Sequence, residues 1–125
     1  MVLFNSFTFS VFLLLTTAFP PSKIEWKTPT KHDFGLILRG PEAVHIFTFR
    51  NVSKEPLIVD NVRTDCSCTT SDWENLALVQ PDSLGKITVK YNAKKTGYFI
   101  KRATVWIHGQ KKPEMLTIQG EVEEQ

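Results

Sequence analysis

Apolar and polar residues alternate along much of this chain with a period of two. In Gly85 to Ala93, Ile87, Val89 and Tyr91 alternate with Lys86, Thr88 and Lys90. Successive side chains of an extended strand point to opposite faces, so this spacing predicts a strand with one buried face and one in water. Glu114 to Val122 repeats the pattern, with Leu116, Ile118 and Val122 opposing Thr117, Gln119 and Glu121. Tyr98 to Gly109 sets Ala103, Val105 and Ile107 on one face and Thr104, Trp106 and His108 on the other. Ala43 to Asn51 places Phe47 and Phe49 together, with Val44 and Ile46 making its second face partly apolar. Pro56 to Thr64 offers Ile58 and Val62 on one side, with Asp60 a polar guest between them. His32 to Leu38 is an earlier strand, interrupted at Gly35, where a bulge is expected.

Breakers separate these runs at short intervals: Gly40-Pro41, Ser53 to Pro56, Pro81-Asp82, Thr96-Gly97 and Gly109 to Pro113. No stretch carries a sustained 3.6-residue apolar stripe; Ser71 to Leu76 is expected at most to form a brief helical turn. About seven short strands at this spacing point to an all-β fold, an immunoglobulin-like antiparallel β-sandwich. The sandwich is expected over residues 32–123, with residues 19–31 as a lead-in that holds a short strand at Ile24 to Lys27.

The first twenty-one residues contain no charged side chain, and Phe7 to Leu15 is almost entirely apolar. A spanning helix needs about 20 apolar residues, so this run is short for a membrane span. It fits the core of a secretory signal covering residues 1–18, with Thr16 and Ala18 as the small residues before a cut near Ala18. A retained anchor or a buried hairpin are the alternatives. The expected location is periplasmic or secreted, with no stable membrane span after cleavage. The 125 residues carry a formal charge of +2 with acids and bases interspersed, which excludes the clustered basic face of a nucleic-acid binder.

The densest chemistry is Arg63 to Trp73, which holds both cysteines, Cys66 and Cys68. In an extended strand their α-carbons stand about 6.5–7 Å apart, whereas a disulfide wants about 4.4–6.8 Å, so bonding requires the strand to end or bend there. In an oxidising compartment the pair is a disulfide candidate or a structural pair of packed thiols. Thiol-redox chemistry and a soft-metal site for Cu(I) or half a zinc site are the alternatives. The histidines, His32, His45 and His108, show no ligand spacing to the cysteines.

The remaining candidates are binding residues. Trp73 is expected to pack over the cysteine segment. Trp106 with His108 forms an aromatic handle if that face is open, or a cross-strand pair if it is covered. No Gly-x-Ser-x-Gly elbow, Walker loop, dinucleotide fingerprint or His-Glu-x-x-His is present, and Asp72 with Glu74 reads as a surface pair. No enzyme and no cofactor are implied. Asn51-Val52-Ser53 is a formal glycosylation sequon.

In order along the chain, Asp33-Phe34-Gly35, Asn51, Pro56-Leu57, Cys66-Ser67-Cys68-Thr69, Gly85, Gly97 and Gly120 resemble the bacterial domain-of-unknown-function family 1573 from about His32 to Val122. The resemblance implies an exported immunoglobulin-like sandwich akin to ASPM/SPD-2/Hydin and PapD-like domains, and implies no established activity. Two positions depart from the family pattern: Ser67 stands where glycine is usual between the cysteines, and Asp82 where glycine often follows Pro81. The functional expectation is an exported, non-catalytic binding or scaffolding module of the cell envelope, its partner an envelope protein or a glycan. The alternative is a periplasmic thiol-redox or copper-handling protein built on Cys66 and Cys68.

Overall fold

The computed structural model describes residues 22–74 and 77–124. The expected leader, residues 1–18, lies outside the described residues. Eight strands occur: β1 (Ile24–Trp26), β2 (Lys31–Leu38), β3 (Ala43–Asn51), β4 (Val59–Thr64), β5 (Thr69–Asp72), β6 (Leu84–Tyr91), β7 (Gly97–Ile107) and β8 (Glu114–Glu123). They form two four-stranded sheets, ordered β1-β3-β6-β5 and β2-β8-β7-β4. The all-β sandwich follows from the period of two: each strand has one apolar face, and two such faces bury each other. The pairings are antiparallel except β2 with β8, which is parallel.

The first sheet contributes Phe47 and Phe49 of β3 and Ile87, Val89 and Tyr91 of β6 to the core. The second contributes Ala103, Val105 and Ile107 of β7 and Leu116, Ile118 and Val122 of β8. All are buried, and each large side chain stabilises the fold by about 1.5–3 kcal/mol through removal from water. Tyr91 and Phe99 stack across the two sheets with ring centres 3.9 Å apart.

Two irregularities re-aim side chains. The β2–β8 register shifts between Asp33 and Leu36, and Gly35 there has φ of 68°, a left-handed conformation that glycine adopts without steric cost. The bulge expected at Gly35 is therefore present. A second shift, between Val59 and Asn61 on β4, was not foreseen. Strict alternation pairs Ile58 with Val62 as the inward set. The inward residues are instead Leu57, Val59 and Val62, because the bulge lets Asp60 and Asn61 both stay exposed before the parity resumes.

The expected helical turn over Ser71 to Leu76 does not form in its first half: Ser71 and Asp72 belong to β5, paired with Val89 and Thr88 of β6. Backbone pairing to a neighbouring strand outweighs the local turn preference of Ser and Asp. The segment expected as a lead-in carries β1, which adds to β3 through Ile24–Asn51, Glu25–Arg50 and Trp26–Phe49.

Candidate functional site

Cys66 and Cys68 lie in the four-residue crossing from β4, at the edge of the second sheet, to β5, at the edge of the first. They are disulfide-bonded with α-carbons 5.3 Å apart. The chain therefore turns at the cysteines, as bonding requires, and β5 begins directly after them. The turn is pinned from several sides. Thr69 N–H donates to the Cys66 carbonyl (3.2 Å) and Asn92 N–H to the Cys68 carbonyl (3.0 Å). Thr64 Oγ1 donates to the Thr69 carbonyl at 2.7 Å. The Thr69 hydroxyl, buried, sits 3.9 Å from each sulfur. Both sulfurs are spent on each other, so thiolate ligation or nucleophilic chemistry requires their reduction first. Among the described residues no three His, Cys, Asp or Glu side chains gather into a metal-holding group.

Trp73 is half-buried and packs against the core. Its Nε1–H donates to the Val59 carbonyl at 3.3 Å, which ties the end of β5 to the start of β4. With Phe49, Val59 and Leu84 it lines a recess of about 340 Å³ at one end of the sandwich. Trp106 stands on β7 opposite Asn61 of β4, half-buried on the outer side of the second sheet. His108 is exposed, its Nδ1 3.1 Å from Asp60 Oδ2. Trp73 thus turns to the core while Trp106 faces outward from the second sheet, and the two do not build one site.

Asn51, the residue of the glycosylation sequon, is 1% exposed. Its amide donates to the Glu55 and Val79 carbonyls at 2.7 and 2.9 Å, and its oxygen accepts from Ser53 N–H and Oγ. Every polar atom is satisfied inside the fold, so this side chain is an anchor for two loops rather than a modification site.

Sequence reasoning missed the edge of β3. β1 covers only Phe49 to Asn51, and the chain then leaves: Lys27 N–H reaches the Thr48 carbonyl, Thr28 Oγ1 accepts from Thr48 N–H, and by Thr30 the backbone is bonded to Thr117 of the other sheet. Backbone groups alternate sides along a strand. Asn51 N–H points to the β6 side, at Ser83, and Val52 N–H to the β1 side, at Lys23; by that alternation Val44 and Ile46 present their N–H and C=O to the open edge. Among the described residues no strand pairs with them there. Their side chains, on the outer face, are 48% and 46% exposed. The available signal was the partly apolar second face of this strand.

Residues 24–122 match the family described as "Protein of unknown function (DUF1573)". The chain belongs to this family. No curated protein matches it. Among solved structures, the chain is similar to the ASH / PapD-like domain 7 of human CEP192, at 12% identity and a TM-score of 0.75, over 93% of this chain and 97% of that one. It is also similar to a protein of unknown function from Porphyromonas gingivalis W83 (16% identity, TM-score 0.66, 78% of this chain and 46% of that one). A third likeness is to the secreted serine protease VesC from Vibrio cholerae (12% identity, TM-score 0.58), where 79% of this chain covers 23% of the protease. At these identities the likeness is one of fold.

The two departures from the DUF1573 pattern have different consequences. Ser67 is not among the residues with positive φ, so the cysteine turn does not call for glycine at this position. Asp82 has φ of 68°, the conformation in which glycine is favoured and Asp is among the better-tolerated substitutes. Its N–H donates to the Asn51 carbonyl at 2.8 Å, which holds the turn against the anchor residue.

Proposed function

We propose that this DUF1573 domain is a non-catalytic binding module of the cell envelope that accepts an extended polypeptide segment along the open edge of β3. The observation that carries the reading is that Val44 and Ile46, whose main-chain groups face the open edge, have no strand partner there among the described residues, and each carries an exposed apolar side chain. An added strand satisfies those backbone groups and buries the side chains, which supplies both affinity and register. The uncharged apolar opening of the chain and a disulfide in a small domain support export to an oxidising compartment.

Proline at position 46 tests this. Its missing N–H faces the open edge, so the ladder to β6 stays intact, while strand addition is blocked. Ile46→Pro keeps the fold and loses the envelope partner recovered by the unaltered chain. Retention of that partner by folded Ile46→Pro contradicts the proposal.

A second reading draws on the bonded Cys66–Cys68 pair: a thiol-redox or copper-handling protein that works when the bond is reduced. A dithiol titration of the purified chain followed by Cu(I) addition separates the two, because only this reading requires stoichiometric Cu(I) uptake that Cys66→Ser abolishes.

A further inference from the structure

We infer that the outer face of the second sheet carries a docking groove for basic polypeptide segments. The groove, about 420 Å³, lies beside the β2 bulge and is distinct from the β3 edge. Two register rows build it. Asp33, Gln119 and Ile100 stand side by side on β2, β8 and β7, and so do Leu36, Glu121 and Tyr98. All six turn outward, because Phe34, Phe99, Ile118 and Val122 take the inward positions of the same strands. Gly35 and Gly120 also line the groove and contribute only backbone.

The apolar members are strongly exposed: Tyr98 86%, Ile100 65% and Leu36 61%. Both charged members are acids. The Asp33 carboxyl is held below its ordinary value by the Gln119 amide, which donates to Oδ2 at 2.8 Å, and then by the Gly35 N–H on Oδ1 at 2.7 Å. The Glu121 carboxylate beside Tyr98 pushes the phenol up and keeps the ring neutral. Each carboxylate retains acceptor capacity toward solvent. No lysine or arginine lines the groove. Arg102, the next outward position on β7, is turned to Asp65 at 3.3 Å. Lys31, the next outward position on β2, is exposed and is the smallest influence on Asp33.

Exposed apolar walls with two ionised acids and no cation are complementary to an occupant that is cationic and apolar at once. A lysine or arginine over the Tyr98 ring gains a cation–π contact while its charge reaches Glu121 or Asp33. Its aliphatic stem and an apolar neighbour cover Leu36 and Ile100. An acidic segment is repelled, and a neutral glycan leaves both carboxylates without a counter-charge. This inference rests on the reading of the chain as a binding module and not on the β3 edge.

The test is an NMR titration of the ¹⁵N-labelled full chain with acetyl-Gly-Lys-Val-Arg-Gly-amide, the same peptide with both bases replaced by Glu, and chitohexaose. The expected result is shifts centred on Leu36, Tyr98, Ile100 and Glu121 with the basic peptide alone, weakening as salt rises from about 0.05 to 0.5 M. The double variant Asp33→Asn with Glu121→Gln keeps an acceptor for Gly35 N–H and the size of both side chains, and weakens binding about five- to tenfold. Tyr98→Ala, which leaves both acids in place, also weakens it and carries the test if the double variant fails to fold. Equal shifts with the acidic peptide, a preference for chitohexaose, or no shift with the basic peptide overturns the inference. Shifts confined to Val44 to Ile46 overturn the groove while leaving the strand-accepting edge standing.

Discussion

His32 and His45 stack face to face across the open side of the sandwich, ring centres 3.7 Å apart and planes 7° from parallel. One belongs to β2 of the second sheet and the other to β3 of the first, between Val44 and Ile46. Phe34 meets His32 edge-on at 4.6 Å, and Phe47 meets His45 in the same way at 4.6 Å. The four rings close the core at the level where the β3 edge is unpaired, so the candidate edge is backed by a packed aromatic layer.

This stack makes stability depend on pH. Burial, and secondarily the neighbouring His32, lowers the proton affinity of His45 below its ordinary value of 6.5. The unfolded chain then binds the proton more readily than the folded one. The contribution is fully present above the unfolded pKa and is lost as pH falls through the folded one. Urea midpoints are expected to decline from pH 7.5 to 5.5, and His45→Gln to flatten that decline. A midpoint that rises on acidification contradicts this assignment.

Gly85 lies opposite Phe49 in the β3–β6 ladder, and the far end of the Phe49 ring occupies the place where a side chain at 85 would begin. Gly85→Ala must therefore move a fully buried ring. Such overpacking costs about 1–3 kcal/mol, and chemical denaturation is expected to show a loss in that range. Phe49→Leu combined with Gly85→Ala recovers part of it.

Asn51→Ala removes one donor from each of the Glu55 and Val79 carbonyls, which keep Ser53 Oγ and Leu57 N–H, and leaves the Ser53 N–H without its acceptor. Three main-chain hydrogen bonds are lost at about 1 kcal/mol each, so a total loss of about 3 kcal/mol is expected, large for a domain of this size. Asn51→Asp keeps the acceptor and removes both donors, and is expected to be no better. A near-neutral Asn51→Ala in thermal unfolding contradicts the anchor role.

The Cys66–Cys68 bond closes a ring that spans one intervening residue. On the chain-entropy relation so small a ring is worth about 1.5 kcal/mol. Replacing both cysteines by serine is expected to lower stability by that amount and to leave the far-ultraviolet spectrum unchanged, because Thr64, Thr69 and Asn92 still hold the turn. Loss of the fold in the double variant contradicts a local staple.

The faces of β6, β7 and β8 were legible from alternation alone, since apolar residues recur at every second position over most of each strand. Alternation failed at β4, where a bulge shifts parity, and at β5, where pairing with β6 overrides turn-forming residues. The inward parity of His45, shared with Phe47 and Phe49, was readable; its partner on the other sheet was not, because stacking depends on how two sheets overlie. Tyr98 and Ile100 share the parity of Thr104 and Trp106, so an exposed row on β7 was legible, while its meeting with Asp33 and Leu36 required the parallel pairing of β2 with β8. The open β3 edge is a consequence of where β1 stops, and no local pattern encodes that.

Residue-resolved amide exchange on the free chain, and on the chain recovered bound to its envelope partner, tests the strand-accepting edge most directly. Fast exchange at Val44 and Ile46 beside slow exchange at His45 and Phe47 is expected in the free chain, with Val44 and Ile46 becoming protected in the complex. Protection of both amides before any partner is added, or their continued fast exchange in the complex, contradicts the account.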